Sequence, residues 1–366
     1  MAATRIPATV ITGFLGSGKT TLIRNIITQA NGKRLALIVN EFGDIGMDGD
    51  MLKDCGADSC SADDIIELAN GCICCTVADD FLPSMQQLLA QDPRPDHIII
   101  ETSGLALPQP LVQAFNWPGI KSEVMLDGVV TLVDGPALAD GGIAHDLDAL
   151  EAQRAADEEL DHESPIDELF ADQIGAANLI VLSKADLLNE DAVARARQVV
   201  EGQLDAPTPI ISVAGGAAPM DAILGLDMEA QAHARSEHSH HHHHHHHHDE
   251  EHHHDDDHHH HHEHGHDEFA SYVISVSEIE DAETFQAIIA DMAAEFGILR
   301  AKGRLSVTGK ALPYIVQAVG RRVDGYYARG ADGTHGQLVV IGLAGLDADA
   351  IASRLGGQVI AGHAPS

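Results

Sequence analysis

The sequence has few basic residues and no long hydrophobic run. Only 21 of its 366 residues are Lys or Arg, against 57 Asp or Glu, so the formal net charge is −36 at pH 7. Such a charge repels nucleic-acid phosphates and anionic lipid headgroups. No apolar stretch approaches the roughly 18 residues that a membrane helix needs, and residues 1–5 lead into a strand rather than a signal peptide. We therefore expect a cytoplasmic protein that binds neither nucleic acid nor membrane.

Cysteine is absent from most of the chain. All five cysteines lie between residues 55 and 75. Because a reducing cytosol favours free thiols over disulfides, this clustering indicates metal binding or redox chemistry rather than a structural disulfide framework.

Residues 1–230 alternate short apolar segments with amphipathic ones. Segments that are apolar on both faces suit a buried parallel sheet, so the pattern predicts an α/β domain with a mostly parallel sheet. An acidic stretch at residues 146–172 is expected to be a surface insertion with a helix near residues 169–174. The expected strands are at residues 9–11, 35–39, 97–100, 129–133 and 179–182.

Residues 231–268 differ in composition from the sequence on either side. Between His238 and His266 there are 20 histidines interleaved with Asp and Glu. No apolar residue there could anchor a core, so the stretch predicts a disordered linker. Residues 269–366 predict a smaller C-terminal α/β domain. Its expected elements are strands at 272–276, 305–307, 314–316 and 338–341, and helices at 285–296 and from about 347.

Residues 13–20 read Gly-Phe-Leu-Gly-Ser-Gly-Lys-Thr, a complete phosphate-binding loop between a predicted strand and a predicted helix. Glycines let backbone N–H groups approach phosphates, and the helix N-terminus adds its positive dipole end. The motif predicts a P-loop NTPase domain in which Lys19 neutralises phosphate and Thr20 ligates Mg²⁺. The expected nucleotide-binding residues here are Gly13, Gly16, Ser17, Gly18, Lys19, Thr20 and Thr21.

Glu101 is the candidate catalytic acid. It ends a buried strand and is followed by Thr102-Ser103-Gly104. An acid at such a position suits a place beside Mg²⁺ and the attacking water, so Glu101 and Lys19 are the expected catalytic residues. The alternative is an ordinary polar residue at a strand end.

A second segment at a strand end predicts which base is bound. Ser183, Lys184 and Asp186 follow the strand at residues 179–182. A carboxylate at Asp186 can accept both the N1–H and the 2-amino protons of guanine, a pair that adenine does not offer. We therefore expect GTP as the nucleotide. A solvated loop between strand and helix is the alternative.

Cys72, Cys74 and Cys75 place three thiols within four residues. Soft thiolates select Zn²⁺, Co²⁺ or Cu⁺ over Mg²⁺ or Ca²⁺. Three ligands leave a fourth position open for exchange, whereas a closed four-thiolate site would be structural. Buried cysteines acting as small hydrophobes are the alternative. Cys55 and Cys60 lack tight spacing and are expected to be incidental thiols.

Together the motifs resemble those of the CobW family of metallochaperone GTPases. The similarity spans the chain, and the C-terminal module, with Lys302-Gly303, is similar to the CobW C-terminal domain. The resemblance implies GTP-dependent delivery of a metal to a client protein. Residues 105–112 and 116–118 favour the cobalamin branch, with Co(II) delivered to the aerobic cobaltochelatase, and zinc delivery is the alternative. The matching motifs are residues 13–20, Asn40-Glu41-Phe42-Gly43-Asp44, Gly71-Cys72-Ile73-Cys74-Cys75, residues 101–104 and residues 183–186.

Two positions depart from the pattern that the resemblance supplies. Val39 stands where some relatives have a glutamate that joins the metal site, and Asp44 stands where they commonly have glutamate. Asp44 can still ligate metal, with a shorter reach. Asp44 is therefore an expected metal ligand beside the three clustered thiols, and the Val39 change leaves the fourth ligand unassigned.

The spacing of the motifs suggests that nucleotide and metal influence each other. GTP with Mg²⁺ would order residues 40–46 and 72–75 into a high-affinity metal site, and hydrolysis would release the ion. The histidine-rich stretch would buffer or funnel metal, or be merely a solvated linker. A metal store or sensor and a small-molecule kinase are rival interpretations. A homodimer that forms with nucleotide or metal is a further expected assembly.

Overall fold

The computed structural model describes residues 5–30, 32–40, 65–68, 81–156, 165–225, 267–328 and 336–364. The predictions made above for Asp44, the five cysteines and the histidine-rich stretch 238–266 fall outside these residues. The described parts form two sheets, each with its own hydrophobic core.

The first sheet is parallel and has the strand order β3-β2-β4-β1-β5-β6-β7 in the described part of the chain. Alternate residues of β1 serve opposite faces, because Val10 packs with Met85 on one side and Ile11 packs with Ile26 on the other. This two-sided burial confirms the predicted parallel sheet. The strands are β1 (Ile6–Thr12), β2 (Leu35–Asn40), β3 (Ile65–Leu68), β4 (His97–Glu101), β5 (Val124–Asp134), β6 (Leu179–Ser183) and β7 (Ile210–Ser212).

Helices cover both faces of this sheet. Leu22, Ile23, Ile26 and Ile27 of the first helix are buried against the sheet. Within the described residues, no helix is long and apolar enough to cross a membrane. The helices are α1 (Lys19–Thr28), α2 (Leu82–Leu89), α3 (Gln109–Ala114), α4 (Pro118–Lys121), α5 (Gly135–Ala139), α6 (Leu147–Ala156), α7 (Ile166–Gly175), α8 (Glu190–Glu201) and α9 (Met220–Leu224).

The acidic stretch at residues 146–172 is more than the surface insertion that its composition predicts. Leu150 of α6 and Leu169 and Phe170 of α7 are buried in the hydrophobic core. Phe170 lies 5.6 Å from Phe14, between ring centroids. A few apolar residues at helical spacing are enough to dock an otherwise acidic helix. The described part of this stretch therefore packs against the phosphate-binding loop through Phe14.

The second sheet is antiparallel, in the order β11-β10-β9-β12-β8-β13. Two helices pack on one of its faces around Ile289 and Ile351. The expected strand at residues 305–307 is wrong, because β9 spans Ile298–Leu305. Its sequence shows no continuous apolar run, since Arg300, Lys302 and Arg304 alternate along it. The elements are β8 (Phe269–Ser275), α10 (Ala282–Phe296), β9 (Ile298–Leu305), β10 (Tyr314–Val319), β11 (Arg322–Tyr327), β12 (Gln337–Leu343), α11 (Ala348–Arg354) and β13 (Gln358–His363).

Arg300 of β9 joins the two sheets inside the protein. Its side chain is 2% exposed, and its guanidinium donates to Asp127 Oδ2 of β5 at 2.6 Å. It also donates to the carbonyl oxygens of Ala222, at 2.7 Å, and Ile223 in α9. The last carbonyls of a helix lack partners within the helix, so the guanidinium both neutralises Asp127 and satisfies the end of α9.

A buried polar network continues from Asp127 into the first sheet. Thr9 Oγ1 of β1 donates to Asp127 Oδ2 at 3.3 Å and lies 2.8 Å from His97 Nε2 of β4. Gln317 Nε2 of β10 donates to Asp127 Oδ1 at 3.3 Å. Three central strands of the first sheet are thus connected to two strands of the second by side chains that exclude water.

The network predicts that stability falls in acid through His97. Burial lowers the pKa of His97 from 6.5 to about 3, an effect that Asp127 opposes and that Arg300 and Lys302 reinforce. Below pH 6.5 the unfolded chain therefore binds one more proton than the folded one. The free energy of unfolding should decrease by about 1.4 kcal/mol per pH unit as pH falls from 6.5 toward 3.

The test is urea denaturation of the wild type and His97→Gln from about pH 7.5 to about pH 4.5. The variant should lose this part of the acid sensitivity, because glutamine does not titrate. His145→Gln is the control, since His145 is exposed. Equal pH slopes in the wild type and the His97 variant would contradict the assignment.

Candidate functional site

The phosphate-binding loop connects β1 to α1, as the motif predicts. Gly13 has φ +136°, and a Cβ there would lie 2.2 Å from the carbonyl oxygen of Leu132 in β5. Only glycine therefore lets β1 turn this tightly against β5. Gly16 and Gly18 also have positive φ, and Gly18 forms the N-cap of α1.

Polar groups within the loop are arranged as a phosphate site requires. Lys19 Nζ donates to the carbonyl oxygens of Gly13, at 2.7 Å, and Phe14, at 3.3 Å. Ser17 Oγ is buried and has no hydrogen-bond partner among the described residues. Thr20 and Thr21 lie in the first turn of α1. A helix N-terminus, a lysine and an unsatisfied hydroxyl at one turn fit a nucleotide phosphate.

Glu101 stands beside this loop at the end of β4. It pairs in register with Ile11 of β1 and is half-buried. The following turn is fastened to β1, because Thr102 Oγ1 donates to Thr12 Oγ1 at 2.8 Å. A Cβ at Gly104 would lie 2.9 Å from the backbone nitrogen of Leu15, so the turn lies directly against the loop. The structure thus brings Glu101 and the loop residues together.

The predicted base-recognition segment follows β6 on the other side of the loop. Ser183 Oγ donates to the carbonyl oxygen of Val133 at 3.0 Å. Its Cβ would be 3.8 Å from a Cβ placed at Gly18, so the segment adjoins the start of α1. Lys184 has φ +56° and pairs with Asp134 at 2.5 Å. Asp186 is exposed and accepts from the backbone nitrogen of Gly215 at 3.2 Å.

Two parts of the base-recognition region, Asp134 and the loop 213–217, were not predicted from the sequence. Asp134 caps α5 by accepting from Ala137 N at 3.1 Å, and it also holds Lys184. The loop 213–217 lies between Asp186 and α1, where Asn25 Nδ2 donates to the carbonyl oxygen of Gly215 at 2.9 Å. The pair Gly215-Gly216 was the available signal, but the preceding strand β7 has only 3 residues and gives no clear apolar pattern.

The described residues contain no group of three or more metal-binding side chains. The predicted ligands Cys72, Cys74, Cys75 and Asp44 lie outside them. Val39, by contrast, is described: it is buried in the core on the α1 side of the sheet and cannot ligate metal.

Comparison with known proteins matches both parts of the chain. Residues 7–212 match the family described as CobW/HypB/UreG, nucleotide-binding domain, and residues 269–358 match the Cobalamin synthesis protein cobW C-terminal domain.

Two relatives are similar along nearly the whole length. The zinc chaperone CobW of Sinorhizobium sp is 50% identical over 354 residues, covering 96% of each chain. The zinc chaperone CobW of Pseudomonas aeruginosa is 43% identical over 366 residues, covering 96% of this chain and 91% of its own. The Zn(II)-bound YjiA GTPase of E. coli superposes only loosely, with a TM-score of 0.40 at 21% identity over 97% of this chain and 99% of that one. With both domains matched and half of all positions shared with a full-length relative, this chain belongs to the CobW family.

Proposed function

We propose that this protein is a GTP-hydrolysing metallochaperone whose cargo is Zn(II). The proposal rests on three motifs that meet at the carboxyl ends of the strands: the loop after β1, Glu101 at the end of β4 and Asp186 after β6. In parallel sheets, ligands bind at these carboxyl ends. A store or sensor would need no such set of groups for hydrolysis.

Zinc replaces cobalt as the favoured cargo. The segment 105–118 favoured Co(II), with zinc as the alternative, but the two relatives above carry the name zinc chaperone. Thiolates accept both ions, and Zn²⁺ lies above Co²⁺ in intrinsic affinity. We infer that the client is a protein that takes up zinc.

Each residue of the nucleotide site has a distinct role in this proposal. Lys19 and the backbone of the loop neutralise the phosphates, while Thr20 would hold Mg²⁺, which supplies charge stabilisation when bound. Glu101 orients the attacking water from the strand beside the loop. Asp186 reads the guanine edge, with its carboxylate held by Gly215 N at 3.2 Å.

Strands β2 and β3 run parallel to β4 and end on the same side of the sheet. Asn40, the last residue of β2, pairs in register with Leu68, the last residue of β3. The segments that contain Asp44 and Cys72–Cys75 follow these two strand ends in sequence, and β2 lies next to β4, which carries Glu101. We therefore expect γ-phosphate and metal to be coupled through these segments, with tight binding before hydrolysis and release after it.

A zinc titration tests this coupling. The full-length protein with Mg²⁺ and either a non-hydrolysable GTP analogue or GDP competes with a chromophoric chelator for zinc. We expect about tenfold or greater tightening of zinc binding with the analogue, and the same factor for analogue affinity when zinc is present. A parallel titration with Co²⁺ shows whether the preference is for zinc.

The control is a Cys72→Ser, Cys74→Ser, Cys75→Ser variant. It retains the histidine-rich stretch, so its remaining zinc binding should not depend on the nucleotide. Equal zinc affinity of the wild type with analogue and with GDP would overturn the coupling, and failure to hydrolyse GTP would overturn the enzymatic part.

A further inference from the structure

Strand β7 is short and lies at the edge of its sheet. It has 3 residues and pairs only with β6 among the described strands. So short an edge strand is weakly held by its ladder. It nevertheless leads directly into the loop 213–217, whose Gly215 N contacts Asp186. Something else must therefore fix its position.

An ion pair holds β7 from outside. Arg197 of α8 donates to the carbonyl oxygen of Ile210 at 3.0 Å and to Ser212 Oγ at 2.9 Å. It also pairs with Asp267 at 2.6 Å. Both charged side chains are about a quarter exposed, at 26% and 24%. The guanidinium thus joins helix, strand and interdomain connection.

Asp267 acts as a substitute neighbour for the edge strand. Its Oδ2 accepts from Ser212 N at 2.7 Å, and its own backbone nitrogen donates to Ser212 O at 3.2 Å. Both backbone groups of Ser212 are thereby satisfied on the open side of the sheet. In sequence, Asp267 directly follows the histidine-rich stretch and is two residues before β8.

The fixed strand end determines where the loop 213–217 lies. Val213 N donates to Leu182 O at 2.9 Å, and Ala185 N donates to Val213 O at 3.0 Å, so the loop is bound to the base-recognition segment on both sides of Ser183. Two residues further on, Gly215 reaches Asp186 on one side and Asn25 of α1 on the other. A shift of β7 would move all of these contacts together.

We propose that Asp267 and Arg197 are positioning residues for guanine recognition. They hold β7, which aligns the loop 213–217 and thereby the carboxylate of Asp186. The inference rests on the proposed GTP function and extends it: a residue in the connection just before the C-terminal domain helps to set the base specificity of the N-terminal domain. Neither side chain is expected to touch the nucleotide.

The test compares GDP with IDP, which lacks the 2-amino group, by measuring both dissociation constants on the full chain with Mg²⁺. Because Asp186 accepts from that group in guanine, the ratio of the two constants reports its alignment and cancels general losses of phosphate binding. We expect Asp267→Ala to reduce the wild-type GDP preference about fivefold or more. Asp267→Asn keeps an acceptor for Ser212 N but loses the charge pair. Its GDP preference should lie between those of the wild type and Asp267→Ala.

Glu295→Ala is the matched control, because it breaks the exposed 2.8 Å ion pair with Arg354 in the C-terminal domain. Its GDP preference should equal that of the wild type. If Asp267→Ala does not fold, Arg197→Lys supplies the same comparison. An unchanged GDP preference in the folded variant overturns the inference alone. A wild type without preference for GDP over IDP and ADP would instead overturn the guanine specificity of the proposed function.

Discussion

Replacing Arg300 by methionine should lower the free energy of unfolding by about 3–5 kcal/mol. The substitution leaves the carboxylate of Asp127 buried without its cation and leaves the carbonyl oxygens of Ala222 and Ile223 without their donor. At 2% and 5% exposure, neither member of the pair can recover these interactions from water. Urea denaturation of the full-length protein, followed by circular dichroism, measures the change.

Arg322→Met is the control for this experiment. Arg322 pairs with Asp324 at 2.7 Å, but both side chains are substantially exposed, at 30% and 42%. Loss of this ion pair should lower the free energy of unfolding by no more than about 1 kcal/mol. A double variant, Arg300→Met with Asp127→Leu, should recover part of the stability by removing the uncompensated charge. Equal small losses for Arg300→Met and Arg322→Met would show that the buried network does not hold the domains together.

The position of the network gives it a functional consequence. Thr9, His97 and Asp127 lie in β1, β4 and β5, upstream of the residues by which these strands enter the nucleotide site. The C-terminal domain is therefore fastened to the amino halves of strands whose carboxyl ends carry the phosphate loop, Glu101 and Asp134. At the β7 edge of the first sheet, Asp267, two residues before β8, binds Ser212 of β7. Both attachments lie outside the nucleotide site.

Much of the first sheet was predictable because its strands are apolar on both faces. β2, β4 and β6 were found within one residue of their ends, and β1 begins three residues earlier than expected. β5 extends well beyond residues 129–133, since Asp127 and Gly128 interrupt the apolar run, and this interruption is where Arg300 binds. β9 was missed although it is central in its sheet, because Arg300, Lys302 and Arg304 interrupt its apolar pattern. The other missed strands, β3, β7, β11 and β13, are all terminal in their sheets. With one neighbour each, they carry weaker hydrophobic patterns.

The candidate site was predictable where local sequence dictates the chemistry. Glycines at a tight turn, a lysine at a helix start and an acid at a strand end are local requirements, and the structure brings them together. The partners that hold them are not local. Asp134 meets Lys184 across 50 residues, and Arg197 meets Asp267 across 70. Such pairs follow from the fold and not from spacing.

Replacing Lys19 by alanine should reduce kcat/KM for GTP hydrolysis by about 100-fold or more. The ammonium group is the cation of the phosphate loop, and the structure already holds it there through the carbonyl oxygens of Gly13 and Phe14. Phosphate release from GTP measures the change. Lys33→Ala, which removes a cation in the turn after α1, is the control and should hydrolyse GTP as the wild type does.

The same Lys19→Ala variant separates a chaperone from a metal store. The expected cargo ligands are thiolates outside the phosphate loop, so zinc should still bind in the absence of nucleotide. Its affinity should no longer differ between GTP analogue and GDP, because the variant lacks the cation that the proposal places on the γ-phosphate. A variant that delivers zinc to a client as well as the wild type does would exclude hydrolysis as the timer of release. A variant that binds zinc and fails to deliver it would exclude a store, since storage requires no phosphate loop.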